Sequence, residues 1–538
     1  MKKTFNKKVL FYIVSFTWAF FTLNLNVNAH ELKIRLEDLN PAFVEYVKNI
    51  KNGDDKKSSD KNFFGMIPNT IEFKKDYSAT EDTDDDNNKK HNQQNKYSLP
   101  AKYLADLTPI RNQGNYGSCW ACAMASVVEG SFLKMFGDLI EISVPNMIYH
   151  LNYGASLNNR YSTDVDDGGF LTVATAYFAS GRGSILSKDD VNYDYMFNKS
   201  DPEHWSVKKR QFLDTRLISL KYPAYYLRDV KFIPNPIEYS DRMREIHRNK
   251  IKRAIMNFGG VVSTFLYDPE YLSEDKKNYC NIEDLGRFGP NHAIKIVGWD
   301  DDYSKTNFKN QPNNNGAFIV QNSWGEDWGD NGLFYMSYED LYAGKNSVAV
   351  TDIDVFQEKY LFGTIYQRDY FGMVMPALTH QNELFEAKIF NLRGQRENLT
   401  DIGLFVADSE VNCEFYLADL NSENKISGLG EKIGEKYFEF PGYYTVALNN
   451  IKELSKKDGN GKFAIIVKMT SESGDEINLP LEWKGSATAT SQAVGYRNEN
   501  FVNVDGEWKD IFDVVKDNTG WNLEVTNLNI KAFTEKVE

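Results

Sequence analysis

Cysteine is scarce. The 538-residue chain holds four, Cys119, Cys122, Cys280 and Cys413, too few for the disulfide framework that staples small secreted domains. Cys119 and Cys122 stand one helical turn apart, but no second such pair and no histidine pair accompanies them, which argues against a zinc site. Positive charge is also short. Against 62 Lys and Arg stand 76 Asp and Glu, a net charge of −14. That balance argues against nucleic acid and anionic lipid as bulk partners. No long apolar run follows the first thirty residues, so the mature chain is expected to be soluble, with no membrane span.

What is present begins with Lys2, Lys3, Lys7 and Lys8, a mostly apolar run from Val9 to Leu25, and Val27-Asn28-Ala29. This order predicts a secretory signal over 1–29, cut after about Ala29. A membrane anchor is the poorer fit, because the run falls short of the ~20 residues a span prefers. Residues 30–98 read as a pro-segment. Asn40 caps a short helix with Pro41 in its first turn and Phe43, Val44 and Val47 on one face. The apolar patch NFFGMIPNTIEF follows. From Glu81 to Ser98 there is no aliphatic residue, so that strip is expected to be exposed and protease-sensitive.

Residues 99–350 carry the long apolar elements. ACAMASVVEGSFLKMF has apolar residues at three- and four-residue spacing and predicts a buried helix. HAIKIVGW and GAFIVQNSW are short, branched and bounded by Gly or Asn, as buried strands are. Residues 363–535 differ. IGLFVADSE, NCEFYLADL, GYYTVAL, GKFAIIVKM, ATATSQAVGY and NLEVTNLNIKAF are short runs between turn residues and predict an all-β sandwich.

The chemistry concentrates in PIRNQGNYGSCWA, Pro109 to Ala121. A thiol attacks only as thiolate, and Cys119 precedes the predicted helix, where the dipole favours an anion. Of seven histidines, His292 opens a predicted strand directly after Gly289-Pro290-Asn291, a placement that can fix a general base. Asn322, in VQNSWGEDWGDNG, suits the group that orients the imidazole, with Trp324 beside it to keep water out. The Gln113 amide is a candidate oxyanion donor together with the Cys119 N–H.

The blocks QGxxGSCWA, HA-(apolar)-GW and NSWGxxWGxxG, in that order, resemble the papain family of cysteine peptidases over about 99–345. The resemblance implies an α+β fold: a two-lobed peptidase with a helical left lobe and a β-barrel-like right lobe. It implies Cys119 as nucleophile, His292 as base and acid, Asn322 as orienter and Gln113 as oxyanion donor. Gly168 and Gly169, in DDGGF, look like the family's cleft-lining glycine pair. Trp324 and Trp328 match its aromatic wall. Two departures stand out. Where the family has a disulfide-bonded cysteine three residues before the nucleophile, this chain has Tyr116. The Cys119–His292 separation is 173 residues and Cys119–Asn322 is 203, against about 130–150 in the plain pattern. The surplus is assigned to Trp205–Asn249, read as a loop near the cleft.

The long inhibitory-helix pattern of animal and plant pro-segments is missing from 30–98. With IYQRDYFGM at 365–373 opening the β-rich part, the whole resembles clostridial and archaeal secreted peptidases with a lectin-like domain. The resemblance implies a secreted or cell-surface endopeptidase made as a zymogen. It would be a monomer acting on protein substrates, needing no cofactor, with structural calcium conceivable in the lectin-like domain alone. The acidic runs at 84–86, 166–167 and 300–302 lack a spaced ligand loop and read as solvated. Two rivals use the same residues. One is a carbohydrate- or cell-surface-binding adhesion protein with an inactive or secondary peptidase domain. The other is a transpeptidase in which an amine outcompetes water.

Overall fold

The computed structural model describes residues 34–36, 39–51, 65–78, 99–114, 116–152, 168–181, 186, 225–283, 289–355, 364–457, 461–485, 490, 493–517 and 523–537. The expected signal at 1–29, the polar strip at 81–98 and the acidic runs at 84–86 and 166–167 lie outside them.

Asn40 opens α1 (Pro41–Lys51) as its sequence predicts: its Oδ1 accepts the Ala42 N–H at 3.0 Å. α2 (Cys119–Phe136) is buried over its first fourteen residues and ends at Gly137, whose φ of 77° turns its N–H onto the Leu133 carbonyl. α3 (Val144–Asn152) and α4 (Leu171–Ala179) pack on it. Burial of Val127, Val128 and Phe132 stabilises this lobe by about 1.5–3 kcal/mol per side chain. Among the described residues α2 is the one helix long and apolar enough to cross a membrane, and it forms the core of this lobe.

The facing lobe is built from β1 (Tyr225–Ile233), α5 (Asp241–Phe258), β2 (Val261–Phe265), β3 (His292–Asp300), β4 (Ala317–Gln321), β5 (Leu333–Ser337) and β6 (Ser347–Val355). The strands run antiparallel in the order β1-β6-β2-β3-β4-β5. Phe265, Ile296, Trp299, Phe318, Val320 and Phe334 fill its core. Ser240 caps α5 by accepting the Met243 N–H. The expectation of a cleft loop over 205–249 is corrected here. Residues 205–224 lie outside the described set, and 225–249 are β1 and the first half of α5. The aromatic character that suggested a loop belongs to a strand buried between two neighbours.

One of those neighbours lies in the second unit. It comprises β7 (Thr364–Tyr366), β8 (Glu383–Asn391), β9 (Arg396–Val406), β10 (Val411–Leu420), β11 (Ile426–Phe438), β12 (Gly442–Ser455), β13 (Lys462–Ser471), β14 (Asn500–Val504), β15 (Glu507–Asp510) and β16 (Ile530–Lys536). One layer has the order β11-β10-β13-β8-β14-β15, the other β7-β16-β9-β12. Leu399, Ile402 and Leu404 share a core with Phe415, Ile465 and Val467, which is sandwich packing. The second layer does not stop at β12. It continues into β1 through Tyr443↔Val230 and Tyr444↔Asp229, so one twelve-stranded sheet runs through both units. Arg228 pins the junction, with Nη2 2.8 Å from Asp401 Oδ1 and Asp354 3.6 Å from its other end.

Two further readings are corrected. The run at 487–496 forms no strand among its described residues. β8, β11, β14 and β15 have no counterpart in the predicted runs. β8 hides its pattern because Glu386 and Lys388 are buried inside it, Lys388 donating to the Leu528 carbonyl at 2.7 Å.

The described residues before 79 touch both units. Arg35–Leu36 pairs antiparallel with Ala377–Leu378, and the Thr70 hydroxyl donates to the Val374 carbonyl. Lys74–Lys75 pairs with Asn235–Pro236, and Lys75 Nζ lies 2.8 Å from Glu410. Phe43, Met66, Ile67, Ile71 and Tyr77 are buried.

Candidate active site

Cys119 is the first residue of α2 and His292 the first of β3, so each sits at the end of a rigid element facing the other lobe. The thiol accepts the N–H of Ala293, the residue after His292, at 3.4 Å. His292 Nε2 lies 2.8 Å from Asn322 Oδ1, and the same oxygen accepts the Ser323 N–H at 2.8 Å. A backbone N–H can only donate, so the Asn322 atom facing both groups is the acceptor. His292 Nε2 therefore carries the proton, and Nδ1 is the basic nitrogen. Trp324 stacks on the imidazole with centroids 4.7 Å apart and planes at 21°, and Trp328 meets Trp324 edge-on at 4.9 Å.

Gln113 is buried beside them. Its Oε1 accepts from the Ser323 hydroxyl at 2.6 Å and its Nε2 donates to the Tyr116 carbonyl at 2.9 Å. Its backbone N–H reaches the Ser323 carbonyl at 2.8 Å, and Gly325 N–H returns the pairing to Arg111. The Gln113 strip is thus stitched to the Asn322 strip, one from each lobe. Arg111 continues the link as a buried ion pair with Glu129 of α2.

Gly168 and Gly169 lie opposite. Gly168 has φ 79°, and a Cβ on Gly169 would come 2.5 Å from the Trp120 ring, so only glycine brings this backbone into the cleft. Its partner is the stretch Gly65–Ile67. Ile67 N–H donates to the Gly169 carbonyl at 3.1 Å, Gly169 N–H donates to Gly65 at 3.0 Å, and Met66 forms a parallel bridge with Gly169. A Cβ on Gly65 would lie 2.0 Å from the Gly117 carbonyl carbon. Residues 65–67 therefore cross the cleft directly above the nucleophile loop.

Burial sets the electrostatics. Cys119 is fully buried, and burial pushes its thiol up. The Ala293 N–H and the first amides of α2 act the other way, too weakly to offset it. Burial likewise pushes His292 down to about 4, with Asn322 opposing. Covered, the pair is a neutral thiol beside a neutral imidazole.

All eight residues singled out in the sequence meet in one cleft. The part of residues 65–67 in that cleft was not foreseen at residue level; the only signal was a glycine inside the apolar patch at 62–73. The other cysteines, Cys122, Cys280 and Cys413, are buried and unbridged. Asp300 and Asp301 pair with Lys102 and Lys252. Among the described residues no group of His, Cys, Asp or Glu is arranged to hold a metal ion, so no step is derived through calcium.

Comparison with known proteins gives two matches along the chain. Residues 94–352 match the papain family cysteine protease and residues 365–534 the lectin like domain. The viral cathepsin of Heliothis zea nuclear polyhedrosis virus is 25% identical over 228 residues, 42% of this chain and 48% of that protein. Cathepsin K of Mus musculus is 26% identical over 231 residues, 42% and 55%. The chain spans about half the length of these curated relatives. Among solved structures, the cysteine protease and lectin-like domains of Cwp84, a surface layer associated protein of Clostridium difficile, superpose with TM-score 0.68. The identity is 21%, with 94% of this chain and 99% of that one covered. The clostridial cysteine protease Cwp84 after propeptide cleavage gives 0.62 at 22%, covering 80% and 97%. At these identities the structural likeness shows the fold.

Proposed function

We propose, for a chain whose residues 94–352 are a papain-family cysteine protease domain and whose residues 365–534 are a lectin-like domain, that it is a secreted endopeptidase made as a latent precursor. The observation that carries this reading is the pairing of Gly65 and Ile67 with Gly169 across a buried Cys119. A segment so seated occupies the place of a substrate backbone, and its removal uncovers the thiol.

In the uncovered cleft His292 Nδ1 takes the Cys119 proton, and the thiolate attacks the peptide carbonyl carbon. The oxyanion that forms is met by the Cys119 N–H and the Gln113 amide. Collapse breaks the C–N bond, and the imidazolium returns its proton to the leaving amine. Water, deprotonated by His292, then attacks the thioester, releasing a carboxylic acid and restoring the thiol. Every group used belongs to the protein, and no cofactor is invoked. Gly168 and Gly169 hold the substrate backbone, with Trp324 and Trp328 on the departing side.

Secretion is supported by the predicted signal at 1–29 and by the likeness to a surface layer associated protein. The lectin-like domain is proposed to hold the enzyme near a carbohydrate or cell-wall polymer while it acts on proteins there. The activating cut is placed in Asn88–Pro100.

The test is covalent labelling. The chain from residue 30 is treated, reduced, with an epoxide thiol-peptidase inhibitor before and after limited proteolysis, and the label is mapped by mass spectrometry. The expected result is label on Cys119 only once residues 30–80 are lost. No label in either form would overturn peptidase activity; equal label in both would overturn latency.

A further inference from the structure

A second cavity, apart from the cleft, is walled by charge. It lies between α5 and the loop Tyr338–Lys345 and has a volume of about 160 Å³. Tyr239, Arg244, His247, Arg248, Tyr338 and Lys345 line it. Arg244, His247 and Arg248 stand at i, i+3 and i+4 on α5 and so share one face. Lys345 approaches from the opposite wall.

Glu72 and Asp340 act on Lys345 through space without an ion pair among the described residues. Among the described residues none of Arg244, Arg248 and Lys345 forms an ion pair. They rest on rings instead. Lys345 Nζ is 4.4 Å from the Tyr239 centroid and Arg248 is 4.6 Å from that of Tyr338, while Arg244 Nε donates to the Tyr239 carbonyl at 2.9 Å. The nearby carboxylates are committed elsewhere. Asp301 takes Lys252 at 2.5 Å and the Tyr338 hydroxyl at 2.7 Å. Asp340, which also lines the cavity, takes the N–H groups of Asn281 and Tyr342 at 2.8 and 2.9 Å. Glu72 of the pro-segment takes the Asn235 amide at 2.8 Å and Lys74 at 3.1 Å.

Two buried polar atoms complete the wall. His247 is 4% exposed, and neither its Nε2 nor the Tyr239 hydroxyl has a hydrogen-bond partner among the described residues. Burial, reinforced by Lys345, Lys250 and Arg248, holds the imidazole neutral, pushed down to about 3. Buried polar atoms left in this state mark a site that a polar ligand completes. Like charges gathered around a cavity call for a ligand of opposite sign, and guanidinium forks match phosphate and carboxylate oxygens in pairs.

We propose that this cavity binds an oxyanion, a phosphate or carboxylate group, between the Arg244 and Arg248 guanidinium groups and the Lys345 ammonium, with the Tyr239 hydroxyl as a further donor. The cavity has room for one such group, so the ligand is the charged end of a larger molecule or a free ion. Glu72 lowers the positive potential of the site as it stands, because its negative charge acts on both Tyr239 and Lys345. Loss of the pro-segment removes that carboxylate, and the site becomes a stronger anion trap.

The test is calorimetric titration of the chain from residue 30, carrying Cys119→Ala to prevent self-cleavage, with inorganic phosphate and separately with acetate. One saturable site is expected for at least one of them, and the two titrations tell which oxyanion it prefers. Arg248→Gln and Lys345→Gln are each expected to weaken binding at least tenfold, Glu72→Gln to tighten it, and Lys102→Gln to leave it unchanged. Lys345→Arg, which keeps the charge, is expected to bind and guards against loss of fold. The proposal is overturned if neither anion binds saturably, or if the two glutamine variants bind as the parent does.

Discussion

Gly65 and Gly117 of the nucleophile loop meet backbone to backbone, so closely that a Cβ on Gly65 would lie 2.0 Å from the Gly117 carbonyl oxygen. Gly65 also has φ 104°, a conformation side chains rarely adopt. Gly65→Ala therefore has to lift the strip from the cleft. The expected outcome is labelling of Cys119 by an epoxide probe in the uncleaved chain at least tenfold faster than in the parent. Unchanged labelling would show that this crossing does not cover the thiol.

Gln113 is fastened by Ser323 and Tyr116 rather than by the nucleophile. Gln113→Ala should therefore spare the thiol and remove one oxyanion donor. After activation, kcat is expected to fall by about 10²–10³ with KM little changed. Steady-state kinetics on a peptide substrate, with epoxide labelling as a control on the thiol, checks this. A loss confined to KM would place Gln113 in binding instead.

Acid is expected to loosen the latent state. Covered His292 stays neutral down to about 4, whereas an uncovered imidazole titrates near its ordinary 6.5. Between those values the undocked state binds the extra proton, so docking is full above about 6.5 and weakens as pH falls toward 4. In a Cys119→Ala chain, an added protease active across that range should clip residues 65–78 faster at pH 4.5 than at pH 7. A rate that fell with acid, after correction for the protease's own profile, would contradict this reading.

Arg228 stands mostly buried among Asp401, Asp354 and Asp352. Arg228→Ala strands the Asp401 carboxylate at the joint between the units, a loss of about 1–3 kcal/mol. Scanning calorimetry should find one transition in the parent and a lowered or split transition in the variant. An unchanged melt would mean that the strand pairing alone couples the units.

The cleft residues were legible because each is announced by its own neighbours. Cys119 precedes an apolar helix, His292 opens an apolar strand, and Asn322 is flanked by a tryptophan and glycines. The joints were not. β1 finds its place through β6 on one side and Tyr443 and Tyr444 on the other, all more than a hundred residues away, and nothing local to Tyr225–Ile233 names them. β8 was hidden by Glu386 and Lys388, which break the alternation and are tolerated inside because Lys388 meets a carbonyl and a carboxylate there. His247 was passed over because no motif surrounds it. Its partners come from α5 and from a loop ninety residues on.

The stretch proposed as a pro-segment is gripped at several separate points: by a strand at Ala377–Leu378, at Val374, at Gly169, by a strand at Asn235–Pro236, and by Glu410. Severing it is therefore not the same event as losing it. A chain cut beyond Ser78 keeps every one of these holds, and the fragment leaves only when they let go together. A time course of the cut and a time course of catalysis would then run out of step, with a pause between them set by how fast the severed strap peels away.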